Sequence, residues 1–433
     1  MSLPFEVWSM IFCLLPVCSH LDLMCVCRAW RDIVNGTPEL WSYLPFPVLL
    51  DVDPGIWLEK SGEHPLEVVI KSTSRLPRWR RRYPALERLH NHVRRIRVLN
   101  IHVFWFYDVD FILSSIAFTG ELYRSSLALR GHLSPAQPGN PAPLLEQLLI
   151  YVTNSHPGFK YSPYYEHAFY PCPRLWKLDC HAFHIPSPSS KLLSTVTAFS
   201  MFSGTGMQDR PPVEKVLPTI KAIPHLKSLT YNGRNIFWDR LPDGNHYPAV
   251  TLPHLEVVDL SVPTSGLDIL ESLEAPNLRY VKLDGWTGER DDPDALPHDH
   301  MTAIFEILKN LPQQAPYIRI LKLCRIRYLH PDTYDWLFNE NDLAHLEELS
   351  IIEAKTLTDE AFTQSSSHGP RLCRLELKEC ENITGGALVD YIEAKRLSGH
   401  GNFCLVLEEC PGVGDKDLVE LSRLVTMGTD VTA

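Results

Sequence analysis

Leu372-Cys373-Arg374-Leu375-Glu376-Leu377 carries apolar residues at its first, fourth and sixth positions, and the same spacing returns through most of the chain. It recurs at Ile96 to Ile101, Leu145 to Ile150, Leu175 to Cys180, Val196 to Met201, Leu226 to Tyr231 and Leu255 to Leu260. It continues at Leu278 to Leu283, Ile318 to Leu323, Leu346 to Ile351 and, in degenerate form, Asn402 to Leu407. Alternating apolar residues over so short a run read as a strand with one face buried. One strand with its return segment leaves that face uncovered, so neighbouring units must stack and share a core. Successive windows start 21 to 30 residues apart, except for 40 between Leu278 and Ile318 and 49 between Ile96 and Leu145. These long intervals leave the exact repeat count open.

Outward from Leu372, the strand is followed by Cys380-Glu-Asn-Ile383-Thr384-Gly385-Gly386 and then by an amphipathic helix carrying Ala387, Leu388, Val389, Tyr391 and Ile392. The next unit places Cys410 at the matching point, with Gly412-Val413-Gly414-Asp415 and Leu418 after it. This unit is similar to the cysteine-containing leucine-rich repeat, which implies that Cys380 and Cys410 are buried spacers. Pro143, Pro173, Pro224, Pro253, Pro276, Pro316 and Pro370 stand just ahead of windows, where they stop a helix and mark the turn into the strand. They account for part of an excess of 35 prolines in 433 residues. Such an array lines one concave sheet with its variable residues, here Tyr280, Lys282, Asp284, Ile320, Lys322, Glu348, Ser350, Arg374, Glu376 and Lys378. Both charge signs occur among them, so the face encodes no simple preference for acidic or basic ligands.

Ahead of the array the period changes. Trp8, Ile11, Phe12 and Leu15 recur at helical spacing, with Pro4 where a first turn tolerates it, and Pro16 ends that helix. Ser19 caps a second helix carrying Leu23, Val26, Cys27 and Trp30 until Asn35-Gly36, and Thr37-Pro38 opens a short third one with Leu40, Trp41 and Leu44. About 45 residues cannot hide this much apolar surface, because small units bury only about 60 % of their chain area. Leu3-Pro4-Phe5-Glu6-Val7-Trp8, Ile11-Phe12, Leu15, Val26-Cys27-Arg28-Ala29-Trp30-Arg31-Asp32-Ile33 and Leu40-Trp41 closely resemble the F-box. That resemblance implies a surface for the Skp adaptor, and through it a cullin, made by Leu3, Pro4, Trp8, Ile11, Phe12, Leu15, Val26 and Trp30. Burial of these residues inside a self-contained helical cap is the competing arrangement. The motif starts at residue 3, with no preceding segment to extend an adaptor interface, which allows for a truncated amino terminus.

Residues 45–95 join the two parts. Pro45, Pro47, Asp51, Pro54 and Gly55 read as loop, Ile56 to Glu59 as a short helix, Leu66 to Ile70 as a strand and Tyr83 to Val93 as a helix. The expected fold class is therefore α/β, a short helical F-box-like head followed by an irregular leucine-rich-repeat solenoid. Its expected divisions are 1–45 for the head, 46–95 for a linker and solenoid cap, and 96–433 for the solenoid.

Composition narrows the function. Hydrophobic residues at 45 % and charged residues at 21 % exclude general disorder. A net charge of −11 repels phosphate backbones and anionic membranes, so neither nucleic acid nor a membrane is an expected partner. Eleven cysteines, an odd count at low density, suit a reducing compartment, and the apolar stretch Val7 to Val17 lacks the preceding basic residues of a signal peptide. No apolar run approaches the roughly 18 residues of a membrane helix. The expected location is intracellular, cytoplasmic or nuclear.

The strongest short catalytic motifs are absent. Asp291, Asp292, Asp294, His298, Asp299 and His300 read as a solvated acidic loop leading into a helix over Met301 to Leu308. Cys172, Cys180, His181 and His184 have zinc-ligand chemistry without zinc-site spacing, and Cys18, Cys25 and Cys27 read as packed thiols. Arg78, Arg80, Arg81 and Arg82, interleaved with Trp79 and Tyr83, form the only dense basic run and read as a solvated helix face. No metal or cofactor is expected, and no enzymatic activity. The chain is expected to be the substrate-recognition subunit of a Skp-cullin-F-box ubiquitin ligase, its solenoid binding a target protein. A repeat scaffold without a ligase role is the alternative.

Overall fold

The apolar windows become strands in a computed structural model that describes residues 3–15, 19–47, 54–71, 84–117, 139–153, 160–161, 168–181, 184–203, 213–233, 247–262, 266–285, 298–339, 343–363, 372–397 and 403–427. The chain divides into two compact units, Met1–Thr205 and Gly206–Ala433.

The first unit opens with α1 (Phe5–Cys13), α2 (Ser19–Val26), α3 (Arg28–Gly36) and a 3-10 turn, Pro38–Trp41. The single second helix expected up to Gly36 is two helices, because Cys27 adopts an extended backbone between Val26 and Arg28. There follow β1 (Tyr43–Pro47), α4 (Gly55–Lys60), β2 (Leu66–Lys71), α5 (Pro84–His90), β3 (Ile96–Val103), α6 (Phe106–Ala117), β4 (Gln147–Val152), β5 (Lys160–Tyr161), β6 (Lys177–His181), β7 (His184–Ile185) and β8 (Ala198–Ser203). β1, β2, β3, β4, β6 and β8 pair in that order, all parallel. Pro45 and Pro47, expected in a loop, lie in β1, an edge position where a missing N–H costs nothing. The parallel sheet thus begins at the last residues of the head.

The second unit contains β9 (Ser228–Gly233), β10 (Val250–Thr251), β11 (Val257–Ser261), β12 (Leu273–Glu274), β13 (Tyr280–Asp284), β14 (Ile320–Cys324), β15 (Glu348–Ile352), β16 (Arg374–Lys378), β17 (Cys404–Glu408) and β18 (Thr426–Met427). β9, β11 and β13 to β18 pair in chain order, all parallel, while β10 and β12 pair by themselves. Helices such as His298–Gln314 and Gly385–Leu397 return the chain between strands. The helix expected over Met301 to Leu308 lies inside the first of these.

Local chemistry explains each turn into a strand. Pro143, Pro173, Pro224, Pro253, Pro276 and Pro316 each stand four residues ahead of a strand, in a turn. The apolar residue two places on closes that turn: Leu145 donates to Ala142 at 3.1 Å, Leu175 to Cys172 at 3.1 Å, Leu255 to Leu252 at 3.2 Å and Leu278 to Ala275 at 3.0 Å. Proline at the second turn position presets the required φ. In these windows the first apolar residue is therefore a buried turn anchor rather than part of the strand, whereas Ile96 opens β3 itself. Leu145, Leu175, Leu255 and Leu278 are at most 1 % exposed.

Leaving the strand, Arg325, Glu353, Glu379 and Glu409 all take a left-handed backbone, with φ of 56°, 56°, 53° and 53°. Each of the first three donates its N–H into the following strand, at 2.8 to 2.9 Å. At the last junction Gly412 is needed for a close approach, since a Cβ there would stand 2.1 Å from the Ile383 carbonyl oxygen.

Candidate functional site

The head has its own small core. Phe12, Leu23, Ile33, Val34, Leu40 and Trp41 are buried together, with Trp8, Met24, Trp30 and Trp57 packed against them. Trp8, Phe12 and Trp30 pack as three rings at centroid distances of 5.1 to 5.6 Å. Phe12 is 1 % exposed, so its expected place on an adaptor surface is corrected: it fills the head's interior. Trp8 and Trp30 are half-buried beside it. Leu3, Pro4, Ile11, Leu15 and Val26 remain exposed.

Residues outside the Trp8, Ile11, Phe12, Leu15 stripe complete the picture. Phe5, Val7, Met10, Leu14 and Leu21 are also exposed, Met10 to 71 % and Leu14 to 86 %. Leu3, Val7, Met10 and Leu14 form a second stripe at spacings of four, three and four residues, so α1 is apolar around most of its circumference. Such a helix belongs inside a structure, yet one side of this one is uncovered among the described residues. A groove of about 620 Å³ opens beside it, between Phe5, Met10 and Cys13 of α1 and Thr37 and Pro38. Cys25 and Cys27, expected as packed thiols, are exposed, and Cys18 lies outside the described residues.

The head is tied to the first strands within its unit. Trp41 meets Trp57 of α4 edge-on at 5.7 Å, and the Lys60 ammonium lies 4.2 Å above the Trp41 ring while also bonding Asn35. Glu67 of β2 donates its N–H to the Ser42 carbonyl at 2.9 Å. Arg95, 8 % exposed, donates to Ser61 and to the His64 carbonyl.

In the second unit the strands bring the expected face residues into register. Lys282 pairs with Lys322, which pairs with Ser350, which pairs with Glu376. Tyr280, Lys282, Asp284, Ile320, Lys322, Glu348, Arg374 and Lys378 are half-buried along this face. Glu376 and Ser350 are buried, at 5 % and 0 %, which corrects their expected exposure. For Glu376 the reason is local neutralisation. Glu376 lies 3.9 Å from Lys322 and 3.3 Å from Lys378, Lys322 lies 3.5 Å from Glu348, and Arg374 reaches Glu348 at 3.7 Å. Lys378 also meets Glu408 at 2.8 Å, Lys282 meets Asp259 at 3.1 Å, and Arg325 makes a two-pronged pair with Asp284. Burial would lower the Lys282 pKa, but the Asp259 carboxylate overrides it and holds the ammonium above its usual range.

The remaining candidates separate by environment. Cys172 and Cys180 are buried, and burial pushes both thiols up, Cys172 to about 11. His181, fully buried, is pushed down to about 3 by burial and by His184, which sits 3.2 Å from Asp110. Cys380 is buried as the repeat resemblance implied, while Cys410 is half-buried. Among the described residues no group of three or more His, Cys, Asp or Glu side chains is placed to hold a metal ion, and no helix is long and apolar enough to cross a membrane. The basic run Arg78 to Tyr83 and the acidic positions Asp291, Asp292 and Asp294 lie outside the described residues, as do the side chains of His298, Asp299 and His300.

No curated protein matches the chain. Two solved structures resemble its fold at low identity. One, a crystal structure of a TLR13–ssRNA13 complex, is 13 % identical, with 77 % of this chain and 46 % of that chain covered and a TM-score of 0.40. This chain therefore spans less than half the length of that one. The other, a crystal structure of a Rad7 and Elc1 complex in yeast, is 12 % identical, with 98 % and 92 % covered and a TM-score of 0.37. Residues 1–46, the segment holding the ring cluster and the uncovered apolar face of α1, match the F-box-like family model, and the chain carries an F-box-like domain at its amino terminus.

Proposed function

We propose that the chain is the non-catalytic substrate-recognition subunit of a Skp-cullin-F-box ubiquitin ligase, acting inside the cell. The head would hold the Skp adaptor through Leu3, Pro4, Ile11, Leu15 and Val26, with Trp8 and Trp30 at the margin of the contact, and the adaptor would bring the cullin. The observation that carries this reading is the uncovered apolar side of α1, inside a segment that matches the F-box-like model. Exposed apolar clusters of this kind mark interaction surfaces. The strand face, with Tyr280, Lys282, Asp284, Lys322, Glu348, Arg374 and Lys378 at its surface and Glu376 beneath them, would receive a target protein. Ubiquitin transfer would then be promoted by proximity, because holding the target near a charged carrier raises its effective concentration without a nucleophile or base from this chain.

Co-expression with a Skp adaptor and a cullin tests the reading. The full chain should co-purify with both, and Ile11→Glu combined with Leu14→Glu should abolish capture while leaving thermal unfolding unchanged. Failure of the unaltered chain to capture any adaptor would refute the ligase role and favour a repeat scaffold.

A further inference from the structure

The turns that leave the last strands of the second unit bring two cysteines side by side. Residues two places beyond successive strands form a column: Ile326 after β14, Ala354 after β15, Cys380 after β16 and Cys410 after β17. Glu379 and Glu409, immediately before the cysteines, share a left-handed φ of 53°, so both side chains leave the chain from equivalent backbone. Lys378 and Glu408 are cross-strand partners, and Glu379 donates its N–H to the Glu408 carbonyl at 2.9 Å. The column therefore steps by about one strand spacing, roughly 4.8 Å, which lies inside the Cα separation of about 4.4–6.8 Å that a disulfide spans.

The sulfurs repeat each other's surroundings. Cys380 Sγ lies 3.8 Å from the Ile351 carbonyl oxygen and 3.4 Å from that of Lys378, while Cys410 Sγ lies 3.5 Å from those of Leu377 and Glu408. Ile351 and Leu377 are themselves cross-strand partners, so the second thiol is the first one moved on by a strand. The thiols also hydrogen-bond to each other. That contact holds the Cys410 thiol below its ordinary range, against the opposing effect of burial, and drives the Cys380 thiol up.

Of the pair, Cys410 alone meets solvent. Cys380 is 0 % exposed, whereas Cys410 is half-buried and lines a cavity of about 550 Å³. The apolar side chains of Pro411, Val413 and Leu418 and the carboxylates of Glu379, Glu381 and Glu409 complete its wall. Partial burial and the neighbouring Glu353 and Glu409 raise the Glu379 carboxyl, as crowded negative charge does. Such a mouth repels anionic disulfides and leaves a small neutral oxidant free to enter.

We propose that Cys410 is a modification site for a hydroperoxide, with Cys380 resolving the product to a reversible Cys380–Cys410 disulfide. The Cys410 thiolate attacks one peroxide oxygen and the O–O bond breaks. The sulfur becomes a sulfenic acid, and the other oxygen leaves as hydroxide or alkoxide and takes up the proton the thiol released. The Cys380 thiol then attacks the sulfenic sulfur, the S–O bond breaks, and the departing hydroxide takes the Cys380 proton as water. Two thiols thus lose two electrons and two protons to the peroxide. Rotation of the side chains off their carbonyls brings the sulfurs together with the strand register unchanged. Neither the adaptor nor a target takes part, so the site is independent of the ligase reading.

Hydrogen peroxide treatment of the full chain, then alkylation of the remaining thiols and peptide mass spectrometry, tests the proposal. The wild-type chain should yield peptides joined through Cys380 and Cys410, and dithiothreitol should release them. Cys410 should oxidise at least about tenfold faster than Cys373, an exposed thiol that partial burial and Glu347 push up. In the Cys380→Ser chain Cys410 should stop at the sulfenic acid and take up dimedone, and in the Cys410→Ser chain Cys380 should stay reduced. Absence of the joined peptides from the wild-type chain, or oxidation of Cys373 as fast as Cys410, overturns the proposal. Joined peptides that form as readily in the urea-unfolded chain also overturn it, by reducing the pair to a chance encounter. These outcomes are read on the unaltered sequence, so they decide the matter even where a variant fails to fold.

Discussion

Asp108 should make the first unit less stable as pH rises, and replacing it should remove that dependence. It lies in the first turn of α6, 2 % exposed, and its Oδ2 has no hydrogen-bond partner among the described residues. Burial pushes its carboxyl from 3.8 up to about 6, against the opposing effect of the Trp105 backbone N–H. The folded state therefore holds the proton more tightly than the unfolded chain. Below about pH 4 both states are protonated and there is no penalty, and the penalty grows through the interval up to about 6 and is fully present above it. At about 1.4 kcal/mol per unit this is at most roughly 3 kcal/mol. Asp108→Asn keeps an acceptor for Trp105 and removes the charge. Urea unfolding of both chains at pH 5 and pH 7.5 gives the difference between variant and wild type at each pH, so contributions common to both cancel. The variant's advantage should be larger at pH 7.5 by about 1 kcal/mol. An advantage identical at the two pH values, or a variant less stable than wild type at pH 7.5, would refute the assignment of Asp108 as a buried, poorly compensated carboxylate.

The head and the strand face offer further tests. Phe12→Ala should cost about 3–5 kcal/mol by emptying the ring cluster, lowering the unfolding midpoint and weakening adaptor capture only through unfolding, whereas Ile11→Ala should leave the midpoint nearly unchanged. Lys322→Glu would set three carboxylates together at Glu348 and Glu376 and should destabilise the second unit by about 1–3 kcal/mol. Urea titration at low and high salt checks this: the loss should shrink with added salt, and an unchanged midpoint at low salt would contradict the paired arrangement.

What was legible in the sequence follows from which interactions are local. The strand windows were readable because each repeat needs the same three apolar positions, and prolines such as Pro253 and Pro276 punctuate them. Their boundaries were displaced by two residues because periodicity treats Leu255 and Leu278 alike with the strand residues, although a backbone hydrogen bond assigns them to the turn. Pro45 and Pro47 read as loop because composition cannot tell a loop from an edge strand, where the same residue is tolerated. In the head, helical spacing identified one stripe, but spacing has no inside or outside. Phe12 and Ile11 are adjacent and equally apolar, and only the ring contacts of Trp8 and Trp30 decide that Phe12 is covered. The second stripe through Val7, Met10 and Leu14 was present in the sequence. Spacing alone does not single it out, because a helix apolar around most of its circumference satisfies more than one template.

The charge pattern on the strand face limits what can dock there. Along one row the signs run Asp259, Lys282, Lys322, then Glu376, with Glu348, Lys378 and Glu408 alongside, and each charge is satisfied by a neighbour within 4 Å. Strands are spaced about 4.8 Å apart, so a uniformly charged segment laid across them would gain at the lysines and lose at the carboxylates within the same few residues. Displacing any one pair also leaves a half-buried charge without its partner, which costs more than a new exposed pair returns. Glu376 is the extreme case, being buried beneath the two lysines that neutralise it. A ligand therefore gains there from shape and apolar contact, through Tyr280 and Ile320, more than from net charge.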